Sequence, residues 1–434
     1  MKQLLPSVLS SSFSLLNNLK VELRTSSLLI LVSLLYVTGC ARFAADASRA
    51  TAFEPIQLSA PDVDAAEPVM AAAPDGGFYV AWVNHNANSQ SDVMLTRFDS
   101  EGAASGSPVT VNQQAGVATA WRGDPPSVAV AEQSVYVLWT ARVESEGKKG
   151  ADLYLSVSHD QGNSFASAVK VNDDKLPGAH GMHSLAVAND GKVYVAWLDE
   201  RNVRAPQPSK HAGGHHMESN RELFIAYSTD GGKTFSPNRK VAENACPCCK
   251  TALAVSAGGT LYASWRQVLP GNFRHIAVAS STDGGASFSA PVIVSDDKWV
   301  LQGCPVSGPS LSTGADGTLK VVWYAAGEGD APGLYFAETR DHARTFSPRS
   351  LLMQETVKGT PALTATNNRA VAIWQGSVGQ QPETKIREIG GAGAAVSVAA
   401  NAELPSGVLA KDKLFVAYIT KVGETRSVWL AKVG

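Results

Sequence analysis

The sequence predicts an all-β chain, a β-propeller of four-stranded blades. Three observations predict it: a turn-rich composition, an aromatic residue that returns at a blade-like interval, and an Asp/Gly turn repeated at fixed spacing. The 434 residues include 38 Gly and 22 Pro, with 44% hydrophobic and only 18% charged residues. Such a composition excludes disorder and coiled coil. Lys and Arg number 37 against 39 Asp and Glu, a net charge of −2 with no block of like charge. Without a basic stripe to follow a phosphate backbone, nucleic acid is excluded as a partner.

The first segment reads as an address. Lys2, Lys20 and Arg24 precede the apolar run 26–36, which has the length of a secretory signal core and is too short to span a bilayer. The run ends in VTGC at 37–40, which resembles the lipobox of bacterial lipoproteins. That resemblance implies a signal peptide over 1–39, diacylglycerol on the Cys40 sulfur, and a linker over 40–51. Ala41 after the cysteine implies outer-membrane sorting, with the chain facing the periplasm or the surface and held to the membrane by its N-terminal lipid. An uncleaved chain with Cys40 buried or disulfide-bonded is the alternative.

From 52 to 434 the chain repeats. Apolar runs ending in an aromatic recur as FYVAW (78–82), VYVLW (135–139), VYVAW (193–197), LYASW (261–265), LKVVW (319–323), AVAIW (370–374) and LFVAY (414–418). Each follows a shorter run, such as PSVAV at 126–130, across a Gly, Asp or Asn turn. A third run such as LYLSV (153–157) and a fourth such as AVKV (168–171) complete the unit. Trp82, Trp139, Trp197, Trp265, Trp323, Trp374 and Tyr418 mark copies one to seven, and their expected task is packing between blades. The last copy stops after its third run, while residues 54–59 stand alone ahead of the first. The N-terminal strand is therefore expected to complete the last of seven blades; a six-bladed ring, with the weak copy at Pro361 or Pro405 outside it, is the alternative.

Between third and fourth runs lie SHDQGNSF (158–165), STDGGKTF (228–235), STDGGASF (281–288) and TRDHARTF (339–346). In each the Asp is expected to cap turn amides and the aromatic to plug the seam, and in the first three, which have Gly where the fourth has Ala343, the Gly to take positive φ. These hairpins resemble the Asp boxes of the sialidase-like propeller superfamily. The resemblance implies that they lie on the bottom face, away from the active site, and it carries no evidence of catalysis.

Loops on the opposite, top face then hold most of the unusual side chains. For a sialidase, the resemblance implies an arginine clamp on the substrate carboxylate, for which Arg122, Arg201 and Arg266 are candidates. It also implies a nucleophile pair, Tyr324 with Glu328, and an acid, Asp124 or Asp199. The family's arginine at the first blade is missing from 67–71 (EPVMA), so the match is loose.

A rival reading starts from sulfur. Cys246, Cys248 and Cys249 lead into copy four and Cys304 into copy five, so neighbouring loops should bring four sulfurs together. His180 and His183 open copy three on the same rim. Thiolate and imidazole ligands suit copper(I) or zinc, whereas an exported protein equally favours two disulfides, and one disulfide beside a His/Met site is the mixed outcome. His211, His215, His216 and Met217 form an insertion that reads as solvated or as further ligands. Three functions stay open: an envelope lipoprotein binding a ligand or soft metal, an exo-α-sialidase or related glycoside hydrolase, and a non-catalytic interaction platform. Their partners would be a metal ion, a glycan or other small molecule, or a protein.

Overall fold

The computed structural model describes residues 54–86, 90–145, 147–175, 177–203, 219–301, 303–329 and 331–434. The segment 1–39 expected to be a signal peptide, Cys40, the expected linker to residue 51, and His211, His215, His216 and Met217 lie outside the described residues.

The described strands fall into four-stranded antiparallel sets that follow the sequence copies. Copy one pairs Asp64–Ala72, Phe78–His85, Ser91–Phe98 and Val109–Thr110 in that order. In copy two the innermost strand is split into Ala118–Thr119 and Ser127–Ala131, both paired to Ser134–Ser145. Copies three and four share one eight-stranded sheet, joined through the single pair Ala245 and Gln267. In copy seven, Ile56–Gln57 adds as the outer strand, with Ile56 opposite Leu430 and Gln57 opposite Trp429. Leu58 N extends this pairing by donating to Val428 O at 2.8 Å.

The innermost strands touch in cyclic order. Asp64–Ala72 lies beside Ser127–Ala131, followed by His180–Val187, Ala252–Val255, Ser310–Thr313, Lys358–Ala365 and Glu403–Ala410, which returns to Asp64–Ala72. The second strands are buried on both faces because each is sandwiched between two neighbouring sets. With period two, alternate residues serve alternate seams. Phe78, Val80 and Trp82 pack against copy seven, while Tyr79, Ala81 and Val83 pack against copy two. Each recurrent aromatic faces the preceding copy: Trp197 meets Leu138 and Leu155 of copy two, and Trp265 meets Leu198 and Leu223 of copy three.

Burying an indole strands its N–H unless an acceptor is supplied. Trp82 donates to Asn84 at 2.9 Å, Trp197 to Asp199 at 2.8 Å and Trp265 to Gln267 at 2.6 Å, each two residues on in its own strand. Trp323 uses Asp297 and Trp374 uses Glu355, both contributed by the preceding copy.

The four Asp/Gly turns share one bonding scheme. In the first, Asp160 Oδ1 accepts from Ser158 Oγ (2.6 Å) and Ser164 N (2.9 Å), while Gly162 N donates to Ser158 Oγ (2.8 Å). Asp230, Asp283 and Asp341 repeat the carboxylate contacts. Gly162, Gly232 and Gly285 have φ of 87°, 88° and 85°; Ala343 holds the same place in the fourth turn with φ 61°. Because strands one and three of a set run parallel, these turns and the entrances to the innermost strands lie at opposite ends. The unusual side chains gather at the entrance end.

Candidate functional site

At that end, residues 246–249 turn between strand Arg239–Ala245 and strand Ala252–Val255, with Cys246 N donating to Arg266 O at 2.8 Å and Cys249 N to Cys246 O at 3.4 Å. The turn gathers three buried sulfurs: Cys249 Sγ donates to Cys246 Sγ at 3.4 Å, and Cys248 Sγ lies 3.9 Å from Cys246 Sγ. Cys248 is disulfide-bonded to Cys304, with Cα atoms 6.0 Å apart, and Cys304 is exposed. Cys246 and Cys249 are free thiols. The arrangement is one disulfide beside a thiol pair, neither two disulfides nor a disulfide beside a His/Met site. The Cys246, Cys248 and Cys249 sulfurs lie within 4.8 Å of one another, with Cys248 committed to the disulfide.

Two buried arginines act on this group. Arg266 donates Nε to Ser307 O and Nη2 to Tyr324 O, both at 2.8 Å, and its guanidinium lies 4.8 Å from the Trp299 ring centre. Arg274 donates Nη2 to Leu301 O at 3.3 Å. Arg266 Nη1 and Arg274 Nε and Nη1 are buried without hydrogen-bond partners. The hydrogen bond from Cys249 brings the Cys246 thiol down to about 6 against the cost of burial, with Arg274 and Arg266 adding attraction. Burial, and then the Cys246 thiolate, pushes Cys249 up. The pair therefore carries its charge on Cys246.

The histidines do not join the sulfurs, because both rings turn back toward copy two. His180 Nδ1 lies 2.6 Å from Ala151 O, and its Nε2 faces Asp174 and Asp199. His183 Nδ1 is 3.1 Å from Ser127 Oγ, its backbone N donates to Asp124 Oδ1 at 3.2 Å, and Nε2 is 3.8 Å from that same oxygen. A bulge at Met182, with φ 52° and a register shift between Gly181 and Ser184, separates the two histidines along the strand. Met182 O accepts from Thr251 N, which ties copy three to copy four.

Asp124 and His183 are buried beside Lys250, whose Nζ donates to Pro125 O at 2.9 Å and sits 3.7 Å from Asp124. Burial raises Asp124, lowers His183 well below its usual range, and pushes Lys250 down to about 8 against the pull of Asp124. Lys250, Ser127, Arg122 and Lys358 line a central cavity of about 290 Å³ walled by the innermost strands.

The three arginines proposed as a clamp occupy three separate places. Arg122 lines the central cavity, Arg266 is fully buried on backbone carbonyls, and Arg201 pairs with Asp173 (2.6 Å) and Asp199 (2.8 Å) over the Phe224 ring. Tyr324 is buried edge-on against Trp299, whereas Glu328 lines a different cleft with His275 and Lys298. Asp199 is fully buried and its oxygens serve Trp197 and Arg201. Arg266 touches Tyr324 only through its backbone carbonyl, and Asp124 lies behind Lys250 at the cavity that Arg122 lines. Arg201, Glu328 and Asp199 are engaged elsewhere, so the full clamp, nucleophile pair and acid do not gather round one pocket. Sequence reasoning missed Lys250, Ser127, Asp152 and Asp174; only Lys250, directly after the cysteine turn, carried a signal.

No family model matches the sequence, and no curated protein matches it. Among solved structures, an ulvan lyase, described as a new family of polysaccharide lyase, is similar with TM-score 0.56 at 11% identity, over 88% of this chain and 96% of that one. A Hadza microbial sialidase gives 0.49 at 13% identity, over 82% and 76% of the two chains. A protein of unknown function from Dyadobacter fermentans gives 0.49 at 13% identity, over 89% and 99%.

The fold is a β-propeller. At such identities the likeness is one of fold alone, so chemistry has to be argued from this propeller's own side chains. They form three groups at its entrance end: the sulfurs with Arg266 and Arg274, the Asp124, His183 and Lys250 cluster at the cavity, and the acidic surroundings of His180.

Proposed function

We propose that the protein is a lipid-anchored envelope propeller whose Cys246, Cys248, Cys249 and Cys304 hold one soft metal ion, copper or zinc. In this reading the ring is sialidase-like, seven-bladed and closed by residues 54–59, the Asp160, Asp230, Asp283 and Asp341 hairpins are its Asp boxes, and Cys40 carries the lipid. One observation carries the metal assignment: Arg266 and Arg274 are buried next to the sulfurs with N–H groups left unpartnered. Buried unpaired donors with positive charge call for an anion, and thiolates supply it. Four thiolates around Zn²⁺, or three around Cu⁺, leave a net charge of −2, which two guanidiniums offset.

The disulfide gates the site. While Cys248 and Cys304 are joined, only Cys246 and Cys249 are available. An external dithiol, through a mixed disulfide with Cys304, passes two electrons and two protons to the bond and leaves as its own disulfide, which frees both cysteines and completes the ligand set. Exposed Cys304 offers that reductant a point of attack.

The test uses mature protein made soluble by Cys40→Ser. Two thiols per chain are expected in air and four after reduction, with one Zn²⁺ or Cu⁺ bound at least tenfold more tightly by the reduced form. Reduced protein that takes up no more of either ion than the variant with all four residues changed to serine would sink the reading. Location is checked separately: the Cys40 protein should incorporate labelled fatty acid and sediment with membranes, and the Cys40→Ser protein should do neither.

A second reading rests on the central cavity, where Arg122, Lys250 and Lys358 present positive charge. It favours an acidic sugar as ligand. The ulvan lyase of similar fold is described bound to a unit of glucuronic acid and sulfated rhamnose. Calorimetry with a glucuronate oligosaccharide and with a sialoside, on wild-type and Arg122→Ala protein, tests it; absence of heat from either sugar ends it.

A further inference from the structure

His180 opens the innermost strand of copy three with its side chain fully buried. Nδ1 lies 2.6 Å from Ala151 O, which only accepts, so Nδ1 carries a proton and donates it. Nε2 is buried, has no hydrogen-bond partner, and stands 3.3 Å from Asp174 Oδ1 and 3.4 Å from Asp199 Oδ2. A lone pair turned toward two carboxylates is repulsive unless something positive lies between them.

We propose that His180, Asp174 and Asp152 form a second metal site, for one divalent cation of borderline hardness, Zn²⁺ or Mn²⁺. Ligand atoms of these three residues all lie within 4.8 Å of one another. Metal–ligand bonds of about 2.0–2.2 Å place neighbouring donor atoms roughly 3.0–3.5 Å apart, which matches the Nε2 to Asp174 separation of 3.3 Å. Asp152 Oδ1 stands farther off, 4.0 Å from the Nδ1 side of the ring, and has to swing inward to complete the set.

The local charge leaves room for such an ion. Four carboxylates, Asp152, Asp173, Asp174 and Asp199, face two cations: Lys170 at 2.8 Å from Asp152, and Arg201, which reaches Asp173, Asp174 and Asp199. With His180 neutral the carboxylates exceed the cations by two; Asp173 is about half exposed and partly screened by water, so the buried excess lies on Asp152, Asp174 and Asp199. Glu200 lies alongside but is engaged with Ala179 N and Arg221.

The surroundings orient the ligands as metal sites require. Asn172 Nδ2 holds both carboxylates, at 2.8 Å from Asp152 Oδ1 and 2.7 Å from Asp174 Oδ1. The Ala151 carbonyl fixes the imidazole tautomer, a usual outer-shell contact. Asp199, saturated by Trp197 and Arg201, serves as an outer charge. Copy one has the same pairing, Asn112 Nδ2 on Asp92 Oδ1 at 2.7 Å, but Asn112 there bonds the carbonyl of Gln114, the residue in the place of Asp174. The Asp/Asn pair is thus a repeat feature, and Asp174 and His180 are what this copy adds.

The probe is Mn²⁺ alone, chosen because thiolates bind it poorly, titrated into chelator-treated full mature protein and followed by loss of the free-ion electron paramagnetic resonance signal. One Mn²⁺ per chain is expected, with a rise in wild-type unfolding temperature on saturation. His180→Gln and Asp174→Asn should each weaken binding more than about tenfold, while Cys246→Ser with Cys249→Ser should bind as wild type. Absence of Mn²⁺ uptake and of any Zn²⁺-dependent rise in unfolding temperature in the wild-type chain overturns the site and leaves a proton on Nε2 as the filler. Uptake unchanged in both His180→Gln and Asp174→Asn also overturns it.

Discussion

Arg426 clamps Asp64 across the closure of the ring, with Nε at 2.8 Å from Oδ1, Nη2 at 2.6 Å from Oδ2, and the Arg426 backbone N at 2.9 Å from Oδ1. One residue belongs to the third strand of copy seven and the other to the first strand of copy one, so a fork-shaped contact joins the two ends of the fold. Burial opposes ionisation of Asp64, but the Arg426 hydrogen bonds prevail and lower its pKa. Arg426→Ala should therefore destabilise the chain by about 1–2 kcal/mol near neutral pH, a modest figure because both groups are partly screened by water. A lowered folded-state pKa stabilises above the unfolded value and fades as pH falls below it, so the difference between wild type and variant should narrow in acid. Denaturant melts at two pH values measure it; a constant difference would contradict the linkage.

The outer strand Ile56–Gln57 covers an edge that Thr425–Val433 would otherwise expose. A chain starting at residue 61 should unfold at a lower temperature than one starting at 41, and should aggregate more readily. Equal unfolding temperatures would refute closure by this strand.

Trp197 is fully buried, packed on copy two, and donates to Asp199. Trp197→Ala should cost about 3–5 kcal/mol. Trp197→Phe should cost less, since it restores much of the volume while leaving Asp199 one donor short. Calorimetric melts that rank Phe at or below Ala would show that the hydrogen bond outweighs the packing.

Ser158 and Ser164 hydroxyls and the Ser164 amide hold the Asp160 carboxyl at about 2, from an ordinary value of 3.8. Hydroxyl and amide donors in the other three hairpins lower Asp230, Asp283 and Asp341 in the same way. These carboxylates stabilise the fold above the ordinary value, and that contribution is lost as pH falls from 3.8 toward 2. Unfolding temperature should drop through this window, and less steeply in Asp230→Ala. A flat profile would separate the hairpins from stability.

Because the Cys249 hydrogen bond is the largest influence on Cys246, Cys249→Ala should move the thiolate transition of Cys246 upward from about 6. Ultraviolet thiolate absorbance against pH reads this directly; an unmoved transition would transfer the credit to Arg266 and Arg274.

Much of this protein was legible along the chain because propeller repeats are local. Four strands, a turn and an aromatic plug recur with the spacing that each blade needs, so the copies, the Asp hairpins and the outward pairing of residues 54–59 could be read from period and composition. The cysteines could be placed together because adjacent entrances start from neighbouring blades. What each side chain faces was decided only by tertiary packing. Arg266 looked available for a substrate and is buried on two carbonyls, while Asp199 looked like an acid and caps an indole. His180 and His183 share a rim with the sulfurs in sequence, yet both rings bond the preceding copy, at Ala151 O and Ser127 Oγ. Asp152 and Asp174, 22 residues apart and outwardly ordinary, meet His180 only because Asn172 holds them. A repeat fixes where backbones pass; the direction of a buried polar side chain follows from which unpaired donor or acceptor the neighbouring blade presents.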